Sequence, residues 1–189
     1  MTIALTTRPD KVKLRVEDFD LLAESDALRG MERSELLDGD IYLMAAQYRL
    51  HGFAKSVFHE ALIDWARAHR PDLRVLTEVS VAMPPIDEPI PDVTLTSEPR
   101  GPRGIPVASV ALLIEVADES RDYDLGYKAE LYARQGVPEY WVVDLQKRVV
   151  VVHAAPGEAG YGHRAETAFG GVVAGLTLPG LSVATGELA

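Results

Sequence analysis

The run Val110-Ala111-Leu112-Leu113-Ile114-Glu115-Val116-Ala117 decides how this chain is read. It is almost wholly apolar and partly β-branched, the pattern of a central strand covered on both faces. Glu115 breaks it. A strand has a period of two, so Glu115 shares a face with Leu113 and Ala111. An ionised carboxylate there is costly unless it is paired or bound to a metal. The bland alternative is a strand-end glutamate whose side chain escapes to solvent or meets an arginine.

Working outward, residues 91–96 predict a second strand, with Asp92 on the face of Thr94 and Thr96 and with Val93 and Leu95 on the other. An aspartate after proline also serves an ordinary turn. Residues 74–82 read as a further strand, and the Pro- and Gly-rich stretch 99–106 as a surface loop. After the Glu115 strand, residues 121–135 predict a helix that Gly136 stops. Asp124 and Lys128 stand four apart on it, which suits a surface ion pair stabilising the helix by roughly 0.2–0.5 kcal/mol. Leu131 and Tyr132 lie on the same face, so the helix equally reads as packed on the sheet, carrying the Lys128 amine toward Glu115. Strands at 140–144 and 148–153 follow as a hairpin, and the Gly-rich tail adds edge strands. The run Val149-Val150-Val151-Val152 is apolar on both faces, as a central strand or an interface would be.

Toward the start, residues 1–14 read as a loose arm ahead of one domain over 15–189. Residues 16–23 predict a short helix with Phe19 and Leu22 buried. Residues 34–44 flank Asp38-Gly39, a strong hairpin signal. Residues 48–69 form a helical pattern with an apolar stripe of Leu50, Ala54, Val57, Phe58, Ala61, Ile63 and Trp65, and Pro71 ends it. Glu35 falls in the hairpin and His51 in the helix, positions where such residues are more often at the surface. The order gives an α/β chain of α+β character, a mixed central sheet flanked by helices.

Composition bounds the rest. The chain has 189 residues, enough for one well-buried core. Its 29 acids against 19 bases leave a net charge of −10, which argues against a protein that coats nucleic acid. Duplex binding is expected to be weak and salt-sensitive, through Arg49, Lys55, Arg100, Arg103 and Arg121. Cysteine is absent, so a metal would need carboxylates, carbonyls or histidines, and a reducing cytoplasm suits the composition. Apolar runs are too short for a membrane span, and the first residues lack a leader pattern.

With these residues placed, the chain resembles the small bacterial restriction endonucleases of the Uma-two family, within the PD-(D/E)XK nuclease superfamily. The matching runs are Glu35-Leu36-Leu37-Asp38-Gly39-Asp40-Ile41, His51, Pro91-Asp92-Val93, Ile114-Glu115-Val116-Ala117-Asp118, Asp124 with Lys128, and Gly136-Val137-Pro138-Glu139-Tyr140-Trp141-Val142-Val143-Asp144. The resemblance implies a restriction-endonuclease-like fold and phosphodiester hydrolysis, with DNA as the expected substrate. Asp92, Glu115 and the Val116 carbonyl would bind Mg²⁺ or Mn²⁺, with Glu35 as an additional nearby acid. The superfamily lysine usually stands two residues after the glutamate, where this chain has Ala117, so the amine is expected from Lys128 on the next helix. His51 matches the family's helix histidine and could relay a proton.

Two other classes fit part of the pattern. One is a non-catalytic binding or assembly protein on a nuclease-like scaffold, favoured by the acidic surface and the displaced lysine. The other is a metal-dependent hydrolase of small phosphate esters, which needs no basic surface. Assembly as a homodimer is expected because nucleases that cut both strands often work as symmetric pairs.

Overall fold

Apolar periodicity and turn chemistry build the elements in chain order. In the computed structural model, residues 11–31, 33–44 and 46–189 are described. Most of the expected arm at 1–14 therefore lies outside the described residues. Of its last four, Lys11 pairs with Asp40, and Lys13 bridges Asp38 and Asp40 at 2.9 Å each. Helix α1 (Val16–Glu24) buries Val16 and Phe19, with Leu22 half-buried. Strands β1 (Ser34–Leu37) and β2 (Asp40–Leu43) pair antiparallel, with Leu37 opposite Asp40. Asp38 and Gly39 form the two-residue turn at φ 48° and 69°. Two positive φ values suit the twist of a tight hairpin.

Helix α2 (Arg49–His69) buries Ala54, Phe58, Leu62, Trp65 and Ala66. The expected stripe needs one correction. Leu50 is exposed, and Leu62 takes the buried role in the cluster that packs α2 on the sheet.

The segment read as one strand over 74–82 is two. β3 (Arg74–Thr77) ends where Glu78 turns to φ 54°, and β4 (Val81–Ala82) leaves the sheet to pair with β6 (Ile105–Pro106). Between them lies β5 (Val93–Thr96), and β7 (Val110–Ala117) coincides with the apolar run that Glu115 interrupts. The following helix starts as α3 (Arg121–Tyr123), widens into a π turn over Asp124–Lys128 and returns to α-helix as α4 (Ala129–Arg134). It closes at Gly136, φ 76°. Strands β8 (Glu139–Asp144), β9 (Val149–Gly157) and β10 (Gly160–Ala168) follow, then the small hairpin β11 (Val172–Ala174) and β12 (Ser182–Ala184).

The main sheet has the order β10-β9-β8-β7-β5-β3 and is antiparallel except for the β7–β8 pair. A parallel pair needs a crossover, and the α3-to-α4 helix supplies it. One face of the sheet packs on α2 and the β11–β12 hairpin through Phe58, Leu112, Ile114, Trp141 and Val150. The other face packs on α4 through Leu113, Tyr132, Tyr140, Val142 and Val151. The run at 149–152 is thus an inner strand with a core on each side. Among the described residues, no helix is long and apolar enough to cross a membrane.

Candidate active site

Strand register brings the two central acids together. Val93 lies opposite Ile114, so Asp92, one residue earlier, stands beside Glu115 at the same end of the sheet. The Asp92 N–H points to Glu115 Oε2 at 3.4 Å, and the Val116 N–H donates to Asp92 Oδ2 at 2.8 Å. Both side chains are buried: Asp92 is 4% exposed and Glu115 3%. Among the described residues neither meets an arginine. Glu115 is instead bound by Lys128, which excludes the solvent-seeking strand-end alternative.

Lys128 comes from the π turn and is itself 4% exposed. Its ammonium donates to Glu115 Oε1 at 2.9 Å and to Glu35 Oε1 at 2.9 Å. The surface pair with Asp124 does not form. Instead Asp124 is buried and accepts from the Ser120 hydroxyl at 2.6 Å. A π turn is wider than an α turn and turns both side chains inward, a feature frequent at functional sites. Glu35 arrives from the hairpin, which docks on the strap before β5 through paired Leu36 and Glu88 backbones. Its Oε1 also accepts from the Ile90 N–H at 2.7 Å.

His51, in the first turn of α2, faces Asp92 Oδ2 with Nε2 at 3.2 Å, and its buried Nδ1 has no hydrogen-bond partner among the described residues. An Nε2–H facing a carboxylate oxygen at this distance donates to it. Two contributors, Gln47 and Tyr132, carry no isolated sequence signal, and Lys55, expected at a phosphate, acts through Gln47. Gln47 donates to Asp92 Oδ1 at 2.7 Å, and Lys55 in turn holds Gln47 at 2.7 Å. The Tyr132 hydroxyl donates to Glu115 Oε1 at 2.8 Å. The spacing predicts only a packing role for Tyr132, because nothing in it tells an apolar aromatic contact from one with a hydroxyl on an acid.

Electrostatically the site is over-acidic. Burial pushes Glu115 up, and although Lys128 pulls against it, Asp124, Asp92 and Glu35 add to the rise, to about 8. Burial likewise lifts Asp124, to about 6, against Lys128 and Ser120. Burial also pushes Asp92 upward, but His51 and the Val116 N–H outweigh it and hold the carboxyl below its ordinary value. Lys128 is disfavoured as a cation by burial, yet Glu115, Glu35 and Asp124 more than compensate and keep it charged. These groups line a cleft of about 360 Å³, whose mouth is formed by Met44, Tyr48, Leu50 and Tyr123.

The donor set suits a hard divalent cation. Four buried acids share the cleft with the Lys128 ammonium, and among the described residues Glu115 Oε2 has only the long Asp92 N–H as its hydrogen-bond partner. Mg²⁺ is commonly held by one or two carboxylates, with water or phosphate oxygens completing its shell. Among the described residues, no three His, Asp or Glu side chains converge to cage an ion by themselves. Backbone or substrate oxygens would have to finish such a shell.

Comparison with known proteins agrees with this architecture. The chain resembles in fold the crystal structure of "a putative nuclease belonging to DUF820" from Anabaena variabilis ATCC 29413, with a TM-score of 0.64 and 15% identity, over 82% of this chain and 88% of that one. No curated protein matches the sequence. The family model for Uma2, described as "Putative restriction endonuclease", matches residues 16–186. The strap, the β5–β7 register and the helix that carries Lys128 all fall inside that match, and the chain belongs to the Uma2 family.

Proposed function

We propose that this protein is a divalent-cation-dependent nuclease that hydrolyses nucleic-acid phosphodiester bonds. The observation that carries the reading is the Lys128 ammonium on Glu115. The strand position where the superfamily lysine is expected holds Ala117, and an ammonium reaches the same carboxylate from the following helix at 2.9 Å. Asp92, Glu115 and the Val116 carbonyl would hold Mg²⁺ or Mn²⁺, which when bound supplies charge neutralisation at phosphate oxygens and a more acidic water.

The chain's own groups do the rest. Val116 N–H, Gln47 and His51 fix the Asp92 carboxylate from three directions. Tyr132 and Lys128 both bind Oε1 of Glu115 and leave Oε2 turned toward Asp92. Lys128 offers positive charge where negative charge develops on the phosphate, a stabilisation that a buried site strengthens. Glu35 holds the ammonium in place, and His51 stands where it can pass a proton at Nε2.

A second reading has a specific observation in its favour. Both Asp92 oxygens already accept protein hydrogen bonds, as they would in a binding protein that keeps the scaffold without turnover. Cation binding separates the two. Mg²⁺ or Mn²⁺ at about 100 times its Kd should stabilise the fold by about 2.7 kcal/mol, growing with the logarithm of concentration. Asp92→Ala and Glu115→Ala should each abolish that gain, together with nicking of plasmid or single-stranded DNA in Mn²⁺. A wild-type protein whose thermal midpoint ignores both ions, and which nicks neither substrate, would rule the nuclease reading out.

A further inference from the structure

The mouth of the cleft differs in character from its floor. The floor is acidic: Glu35, Asp92, Glu115 and Asp124 outnumber Lys128 and His51. The mouth carries rings and apolar side chains. Tyr48, the residue before α2, is 79% exposed, Leu50 is 58% exposed and Tyr123 is 37% exposed. Tyr123 stacks on Tyr127 with centroids 5.1 Å apart and planes 13° from parallel, so its ring is held in one orientation. Large aromatic side chains left open at a cleft edge mark an interaction surface.

Charge restricts the occupant. Duplex binding rests largely on neutralising phosphates along two strands. Of the bases available for that, Arg103 is taken by Asp20 and Glu24, Arg121 by Asp144 and Asp122, and Lys55 by Glu78. Arg100 lines a different groove, with Arg74 and Arg103. Arg49, beside Tyr48, is exposed with no ion pair among the described residues, but one cation over an acidic cleft draws a duplex only weakly, so most of the affinity has to come from another contact. Stacking on aromatic rings is such a contact, and it is open only to bases whose faces are free. The depth of the floor points the same way. Asp92, Glu115 and Lys128 are each at least 95% buried, so a reacting phosphate must dip into the cleft, which a single flexible strand does more readily than a stiff double helix.

We infer that this rim takes an unpaired nucleic-acid strand, with bases stacked on Tyr48 and Tyr123 and the backbone turned toward the Asp92–Glu115 floor. The inference rests on the hydrolytic reading above and names its substrate class. The test uses the full chain in Mn²⁺ with end-labelled oligothymidylate, the same strand annealed to oligodeoxyadenylate, and oligouridylate to separate DNA from RNA. The unpaired strand should be cut at least about tenfold faster than the duplex, and Tyr48→Ala and Tyr123→Ala should each raise KM about tenfold. Tyr48→Phe, which keeps the ring, should bring KM back toward the wild-type value. Equal cutting of duplex and single strand, or a KM indifferent to both alanines, overturns the inference. So does light scattering that finds a wild-type dimer split by Tyr48→Ala, since a second copy would then cover the rim.

Wild-type turnover of bis(p-nitrophenyl) phosphate, a diester with no strand to stack, reports on the floor alone. Turnover there without any strand preference sinks this inference and leaves the hydrolytic reading intact. Fluorescence anisotropy showing single-strand binding that Tyr48→Ala weakens, with neither diester hydrolysed, supports the rim and sinks the hydrolysis.

Discussion

Lys128 concentrates the energetics of the site in one side chain. Its ammonium is buried between Glu115 and Glu35, and each carboxylate has donors besides it: Tyr132 for the first, the Ile90 N–H for the second. A buried pair of this kind need not stabilise the fold against an apolar replacement of the whole set, but removing one partner leaves uncompensated charge. Lys128→Met is therefore expected to cost about 3–5 kcal/mol, read from urea unfolding at about pH 9, above the raised Glu115 pKa of about 8. Adding Glu115→Gln removes one of the stranded charges, so the double variant should be more stable than the sum of the single losses, a coupling that a double-mutant cycle reads directly. Additive losses would show that Lys128 and Glu115 do not share their charge balance.

At the scale of elements, two glycines separate backbone strain from steric contact. Gly136 ends α4 at φ 76°, and a Cβ added there would meet nothing within 4 Å. Gly136→Ala should cost only the left-handed backbone penalty, about 1 kcal/mol. Gly39 sits at φ 69° in the β1–β2 turn, where an added Cβ would lie 2.6 Å from Lys13 Cβ and 3.0 Å from the Leu14 carbonyl oxygen. Gly39→Ala should be the more destabilising of the two in the same urea titration. Because the hairpin carries Glu35, it should also weaken any cation-dependent stabilisation. Gly136→Ala acting more strongly than Gly39→Ala would contradict the packing of the 11–14 segment on the turn.

Across the whole molecule, the sheet ends in β10, whose outward residues include the ion pair of Arg164 with Glu166. Charged side chains on an edge discourage pairing with another chain. Behind that edge His153 is buried against the rings of Tyr140 and Tyr161, which also stack on each other. Burial, with Arg164 adding to it, lowers its pKa from 6.5 to about 4. Between those values the unfolded chain takes up a proton that the folded protein refuses, so stability falls as pH drops through the interval. His153→Phe should flatten this acid limb when urea midpoints are compared between neutral pH and about pH 4. Glu115 acts on the opposite side. Its raised pKa means that the folded protein binds the extra proton, so its contribution weakens stability as pH rises from its ordinary value toward about 8.

The elements and the two central acids were legible in the one-dimensional pattern. The 110–117 strand, the Asp38-Gly39 hairpin, the long helix and the Gly136 stop follow from side-chain period and turn chemistry, which are local properties. So does the oddity of a glutamate inside an apolar strand. The contact of Glu35 with Lys128, 93 positions apart, has no signature in spacing; family resemblance alone implies that both stand near one metal. Nor did the pattern show that Gln47 and Tyr132 complete the acids' hydrogen bonds, that Leu50 stands open at the cleft, or that residues 74–82 break at Glu78. These depend on strand register, on a π turn that shifts helical phase and on hairpin docking. Each arises from contacts between distant segments, whose loop-closure entropy and packing have no signature in any short window of residues.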